Sequence, residues 1–320
     1  MEAASLRPSR FGYLPEFVAG VDHIKAFAKL LGPIWRAIKS QPTLNALVQP
    51  IQSLLGKRAD RRNKNEIRRS AIRLNDEIRR LDKFHHSVSW GDRLLTLDKH
   101  CSFKSDPAFD QAFKSIRGSH QYDQYDGPDG IAWRLNTLCW AARCALRVGG
   151  DFIECGVFKG DMSWVVAQAI GAGEIPHFYL FDSFAGFSSS HSSQSDFPDS
   201  PNFLEFANKI YRAEGLYESV KDRFAPYKNF TVIKGFLPDA LDHARPERIG
   251  YLHLDLNSAR AEIAVLEQLF DRVVPGGVIV FDDYGWWQYR HQKRAEDDFM
   301  KSRGYEILEL PTGQGVVVKR

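Results

Sequence analysis

The stretch GVIVFDDYGWWQY, residues 277–289, decides the fold. Val278 to Phe281 form a short run that is apolar at every position, which fits a strand covered on both faces rather than one with a wet side. The run stops at Asp282 and Asp283. Two adjacent carboxylates repel unless a cation, an arginine or a proton lies between them, so the strand end asks for a partner. Working outward, AEIAVLEQLFDRV (261–273) before the strand and QKRAEDDFMKSRG (292–304) after it read as helices. Upstream, strand and helix alternate. GIAWRLNTLCWAARCAL is a helix, DFIECGVF a strand, DMSWVVAQAIGAG a helix and HFYLFDSF a strand. FLEFANKIYRAEG then gives a helix, NFTVIKG a strand, FLPDALDHAR a short helix and YLHLDLN a strand. Alternation of this kind with doubly buried strands implies an α/β fold with a Rossmann-type parallel sheet. The tail differs. YEILEL and QGVVVKR flank the short turn PTG, so they pair antiparallel and finish the five parallel strands with a hairpin.

The other bounds are coarser. The 320 residues are 43% hydrophobic, enough for a real core. Cys101, Cys139, Cys144 and Cys155 show no metal-ligand spacing, which points to free thiols in a reducing compartment. The N-terminus has no basic flank leading into an apolar run, and no window approaches the roughly 20 apolar residues of a spanning helix, so a cytoplasmic protein is expected. Residues 1–83 carry 17 Lys/Arg against 8 Asp/Glu, a surplus of nine positive charges that leaves the rest of the chain six negative. The division predicted is a basic helical extension over 1–83 and a catalytic domain over 84–320. Phe17, Val21, Ile24, Ala28 and Leu31 recur at helical spacing in the extension. Within residues 57–83 a thin apolar stripe runs along an arginine-rich helix. It reads as a solvated face laced with ion pairs, or as a contact for nucleic acid or an anionic membrane surface. The chain is expected to form a homo-oligomer. The serine-rich stretch 188–202 is long and polar, the composition of a loop that covers a site or stays disordered.

The cofactor site is expected where the first strand runs into ECGVFKG, Glu154 to Gly160. Gly156 and Gly160 allow close passage of a ligand, and the helix that follows offers free N–H groups. The third glycine of a dinucleotide cradle is absent, which disfavours an NAD-type oxidoreductase. Glu154 suits an amine-bearing ligand better than a diphosphate. Asp182, at the end of the second strand with Ser183 after it, stands where a ribose diol lies in this topology. The set fits an adenosyl ligand without phosphates. Asp255, at the end of the fourth strand, converges with Asp282 and Asp283 on one point, a hard-oxygen set that suits Mg²⁺. Asp255 fits either a metal ligand or the group that takes the proton. Asn257 could add a neutral oxygen; His253 reads as a core or supporting histidine. Trp286, Trp287 and Tyr289 fit either a stacking surface for an acceptor or a lid packed on the protein's own core.

These motifs carry a resemblance. SWGDRLLTLDK (89–99), YDGPDGIAWRLNTLCWAARCAL, GDFIECGVFKGDMS, YLFDSFAGF, HLDLNSARAEIAVLE, VPGGVIVFDDYGW and LPTGQGVVVK resemble, in order, the macrocin O-methyltransferase family over about 88–320. The resemblance implies a class I methyltransferase fold, S-adenosyl-L-methionine as cofactor, a divalent ion, usually magnesium, and a sugar hydroxyl of a glycosylated small molecule as acceptor. It places the cofactor against Glu154, Gly156, Gly160 and Asp182. Many relatives carry H-I-D-x-D-L-Y where this chain has HLDLNSA, so Asn257 replaces a second acid and a tyrosine is missing. A competing expectation is a non-catalytic scaffold of the same fold, held to a membrane or nucleic acid by its basic arm.

Overall fold

The computed structural model describes residues 69, 73–74, 76–117, 127–188, 190, 192, 202–244 and 246–320. The chain divides into two units, Met1–Ile72 and Arg73–Arg320, and every element named below belongs to the second. The expected helices from Phe17 and most of the basic stripe lie outside the described residues, as does most of the serine-rich loop. Where the stripe is described, Arg80 and Glu77 pair at 2.8 Å on an exposed surface.

Two strands, β1 (Val88–Gly91) and β2 (Leu94–Leu97), form an antiparallel hairpin. Helices α1 (Pro107–Ile116) and α2 (Ala132–Val148) follow. The main sheet then begins with β3 (Asp151–Cys155), α3 (Asp161–Ile170) and β4 (Phe178–Asp182). It continues through α4 (Phe203–Tyr211), α5 (Leu216–Phe224), β5 (Phe230–Lys234) and β6 (Ile249–Leu254). Helix α6 (Ala259–Leu269), β7 (Val273–Phe281), α7 (Arg290–Ser302), β8 (Leu308–Glu309) and β9 (Gly315–Val318) complete it. The strand order is β5-β4-β3-β6-β7-β9-β8. Its first five strands are parallel and the last two pairings antiparallel, as the sequence predicts.

Four elements differ from the expectation. FLPDALDHAR holds only a 3₁₀ turn, Asp239–His243. Helices α1 and α5 and the β1–β2 hairpin were not expected. In α5 the buried residues Leu216, Val220 and Phe224 recur every four positions, a helical stripe that the preceding Gly215 conceals by reading as a stop.

Register is what positions the site. Cys155, Leu254 and Phe281 lie side by side as the last residues of β3, β6 and β7. The ladder steps one residue further: Asp255 N donates to Cys155 O at 2.8 Å and Asp282 N to Leu254 O at 2.9 Å. Asp255 and Asp282 therefore leave the sheet together, because parallel strands in register must end in register. One sheet face packs Phe152, Tyr251, Val278 and Val280 against α2 and α3; the other packs Ile153, Leu252, Ile279 and Phe281 against α6 and α7.

Gly156 is where β6 approaches most closely. It adopts φ +94°, and a Cβ there would sit 1.9 Å from the Asp255 carbonyl oxygen, a backbone atom. Gly156→Ala is expected to destabilise the protein by roughly 3–5 kcal/mol, because neither the backbone conformation nor the neighbouring strand can yield cheaply. Urea unfolding measures it; a loss below about 1 kcal/mol would contradict this packing.

Candidate active site

A cavity of about 530 Å³ opens at the carboxyl ends of β3, β4, β6 and β7, within the roughly 300–1,000 Å³ of small-molecule sites. Glu154, Gly156, Asp182, Ser183, Asp255 and Asp282 line it, and so do Asp283 and Asn257. Gly160 does not. It starts α3 at φ +74°, and a Cβ there would meet the Phe224 ring at 2.9 Å, so the structure assigns it to packing against α5.

Glu154 is 2% exposed and its Oε1 lies 3.2 Å from Nδ1 of His253, which is in register with it on β6. Its Oε2 has no hydrogen-bond partner among the described residues. A buried carboxylate oxygen left open on a cavity fits an ammonium group. Asp182 works differently. Oδ2 accepts from the Phe158 amide at 2.7 Å and Oδ1 from the Phe184 amide at 2.6 Å, tying the β3–α3 loop to the end of β4. Burial raises its pKa against those amides, and both oxygens keep a lone pair for a hydroxyl donor. Ser183 Oγ donates to the Gly186 carbonyl at 2.8 Å, closing the turn after β4.

At the other end of the cavity, ligand oxygens of Asp255, Asp282 and Asp283 lie within 4.8 Å of one another. An arginine answers the repulsion. Arg134, on the buried stripe of α2, puts Nη1 at 2.5 Å from Asp282 Oδ2 and 3.0 Å from Asp283 Oδ1, and Nε at 2.6 Å from Asp92 Oδ2. Gln314 on the returning tail donates to Asp282 Oδ1 at 2.9 Å. Burial would raise the Asp282 pKa, but Arg134, then His253 and Gln314, hold it well below the ordinary carboxylate range. Asp283, largely shielded from water and beside Asp282, is pushed up to about 6 even with Arg134 against it. Asp255 is raised well above its ordinary value by burial and by the charges of Asp282 and Asp283. Burial opposes charge on His253, yet Asp282 and Glu154 outweigh it and push the imidazole up to about 10. His253 Nε2 is 3.6 Å from Asp282 Oδ1, an ion-pair distance too long for a good hydrogen bond.

Four carboxylates, Asp92, Asp255, Asp282 and Asp283, thus share one guanidinium and, with Glu154, one imidazolium. Those two cations do not hold Asp255 and Asp283 at an ordinary carboxylate pKa, and a divalent cation on their hard oxygens would. Asn257, at φ 54° in the turn after β6, donates to Asp255 Oδ1 at 3.2 Å, and its own buried Oδ1 has no partner among the described residues. Asp255, Asp282 and Asp283, with Asn257 Oδ1 in reserve, would hold the ion.

The sequence brings the carboxylates together and points to Tyr289, but Arg134, Asp92 and Tyr211 did not stand out in it. Tyr211 and Tyr289 border the acids: burial, then the charges of Asp255 and Asp283, hold both phenols well above their ordinary pKa. The Trp286 ring lies under Arg134 and Arg93, each 5.0 Å from its centroid, so it packs on the protein's own arginines. Trp287 stands 77% exposed.

The strand order, the hairpin tail and a cavity at the strand ends define a class I methyltransferase fold. Two solved structures share it. The O-methyltransferase NovP has a TM-score of 0.53 at 19% identity, covering 66% of this chain and 97% of its own. Calicheamicin methyltransferase CalS11 has 0.50 at 16%, covering 69% and 94%. Residues 133–308 match the model of the macrocin-O-methyltransferase (TylF) family, and the chain belongs to that family. Mycinamicin III 3''-O-methyltransferase of Micromonospora griseorubida is 29% identical over 160 residues, 47% of this chain and 62% of that one. The 8-demethyl-8-(2,3-dimethoxy-alpha-L-rhamnosyl)-tetracenomycin-C 4'-O-methyltransferase of Streptomyces olivaceus is 27% identical over 159 residues, 47% and 60%. The chain therefore spans about three-fifths of the length of the curated relatives it matches. Among the described residues no helix is long and apolar enough to cross a membrane.

Arg134→Met leaves the buried Asp282 and the part-buried Asp92 and Asp283 without their guanidinium and is expected to destabilise by roughly 3–5 kcal/mol near pH 8. The depressed Asp282 pKa contributes stability that is present above the ordinary carboxylate range and lost as pH falls. The variant lacks that contribution, so its unfolding curve should converge on the wild type's toward acid. A deficit that stays constant with pH would contradict this electrostatic role.

Proposed function

We propose that the protein transfers the methyl group of S-adenosyl-L-methionine to a hydroxyl of a glycosylated small molecule, assisted by a divalent cation. The observation that carries the reading is the adjacency of two half-sites in one cavity. An open carboxylate oxygen on Glu154 suits the ammonium of the cofactor's methionine, and the three aspartates lie beyond it. Membership of the family supports the reaction class, and the sugar-modifying names of the two relatives support the acceptor class.

Each residue then has a task. Glu154 receives the ammonium and, through His253, is held in place from the sheet side. Asp182 takes the ribose hydroxyls while its backbone bonds keep the β3 and β4 loops apart at a fixed width. Tyr211 and Tyr289 wall the space next to the acids and exclude water from it. When bound, the cofactor supplies an electrophilic methyl carbon. A magnesium ion on Asp255, Asp282 and Asp283 would supply Lewis acidity that lowers the pKa of an alcohol otherwise too weak a nucleophile. Asp255 would take up, on a carboxylate oxygen, the proton that the acceptor hydroxyl loses on methylation. Without a cation, burial and two like charges favour the protonated form of Asp255; a cation held at one of its oxygens would keep it ionised and leave the other oxygen able to accept a proton.

Formation of S-adenosylhomocysteine with a panel of glycosylated natural products tests the reading. EDTA should abolish transfer while calorimetry still shows S-adenosylhomocysteine binding. Full turnover in EDTA would rule out metal assistance, and saturable binding of NADH with none of the adenosyl ligands would overturn the reaction class. Asp182→Ala is expected to weaken S-adenosylhomocysteine binding by roughly 1–3 kcal/mol, the loss of two charge-assisted ribose hydrogen bonds. An unchanged dissociation constant would remove Asp182 from the ribose site.

A further inference from the structure

On the sheet face covered by α6 and α7 the protein buries a second acid group that the methyl-transfer chemistry does not use. Glu262, in the first turn of α6, and Glu296, on α7, are both 0% exposed. Glu262 Oε1 accepts the backbone amide of Leu256 at 3.0 Å and Nε2 of Gln292 at 3.1 Å. Leu256 lies between Asp255 and Asn257, and all three line the active-site cavity. As ionised acceptors, Glu262 Oε2 and both oxygens of Glu296 meet no donor in good hydrogen-bond geometry among the described residues. Yet the two carboxyls lie within hydrogen-bonding reach of each other.

Two ionised carboxylates in contact in a dry interior repel strongly, and leaving three oxygens without donors adds to the penalty. The groups that face the pair relieve it only in part, the Gln292 amide and Lys293 favouring charge on Glu296 without overcoming its burial. Lys293 on α7 is drawn off to Glu309 at 3.0 Å and Asp297 at 3.9 Å, with its ammonium over the Tyr284 ring. Asp283, Asp297, Tyr284 and Cys155 are the other titratable groups around the pair, and none of them is a cation at neutral pH. Burial raises both glutamates, Glu262 well above its ordinary value. A single proton on Glu262 Oε2 satisfies it as donor and gives Glu296 its partner, while Oε1 stays free for the two N–H groups.

We propose that Glu262 and Glu296 hold one proton between them, and that this bridge clamps the Asp255–Asn257 loop in position against α7. The two glutamates are positioning residues: they touch neither cofactor nor acceptor and act through the Leu256 amide. That the clamped loop serves methyl transfer rests on the function proposed above; the clamp itself does not.

Hydrogen exchange of the full chain tests it without any ligand. Peptides containing Leu256 would be followed by mass spectrometry from about pH 6 to about pH 10, corrected for base catalysis of exchange. In the wild type, protection at Leu256 should fall by about tenfold or more as the shared proton is lost and the glutamates repel. Glu296→Gln places a permanent N–H donor where the proton was, and should keep Leu256 protected across the whole range. Glu262→Ala should lose that protection at every pH while the rest of β6 stays protected. A wild-type profile as flat as that of Glu296→Gln would overturn the proposal, as would a Glu296→Gln profile that falls like the wild type's. Protection restored at high pH by adding Mg²⁺, Ca²⁺ or K⁺ would also overturn it, since a metal cation and not a proton would then bridge the pair. Failure to bind S-adenosylhomocysteine would undo the proposed function and leave these outcomes as they stand.

Discussion

Asp282 and Asp283 can stand side by side at the end of β7 because Arg134 reaches across from α2 to both and is itself held by Asp92 of the β1–β2 hairpin. A guanidinium suits this position better than an ammonium would. It is planar, stays charged when buried, and can serve several carboxylates from fixed directions while its face rests on Trp286. The interaction joins three parts of the chain that are far apart in sequence: the hairpin, the helix before the sheet and the last parallel strand. Without it the convergence that parallel register imposes on Asp255 and Asp282 would be a liability.

The same arrangement sets what the cavity can accept. Arg134 and His253 neutralise only part of the carboxylate charge, so the residual field favours cations, and a sulfonium with its ammonium group and a divalent metal are both cations. Glu154 and Asp282 lie on either side of His253, one toward the expected cofactor and one toward the expected metal. The elevated His253 pKa follows from that placement, since a neutral imidazole would leave two buried carboxylates without a shared counter-charge. On the opposite sheet face, α6 and α7 carry the glutamate pair that fixes the loop after β6, so the acids of the site are restrained from both sides.

The parallel sheet and the closing hairpin were legible because strands apolar on both faces and a short turn each have one economical structural reading. The carboxylates were legible for the same reason: acids that end parallel strands must gather at one edge of the sheet. Arg134 was hidden, although its signal was present, since it falls on the buried stripe of α2 with Leu138, Ala141 and Ala145 and such a position asks for a partner. The β1–β2 hairpin was illegible for a different reason. Its turn residues Asp92 and Arg93 adopt φ 49° and 59°, where Asn-Gly is the usual signal, so the sequence SWGDRLLTL lacks the mark of a tight hairpin. Gly160 shows the limit of motif spacing. The glycine is required, but by the ring of Phe224 on a helix the sequence did not reveal.

Asp255, Asp282 and Asp283 are proposed to form one preorganised cation site beside the cofactor cavity. Mn²⁺ binding to the full chain, read from the loss of the free-ion signal in electron paramagnetic resonance, tests it most directly because it needs no acceptor. Saturation at one tightly bound Mn²⁺ per chain is expected, with competition by Mg²⁺ and loss of that site in a folded Asp282→Ala protein. No saturable binding, or binding that survives the Asp282→Ala substitution unchanged, would contradict it.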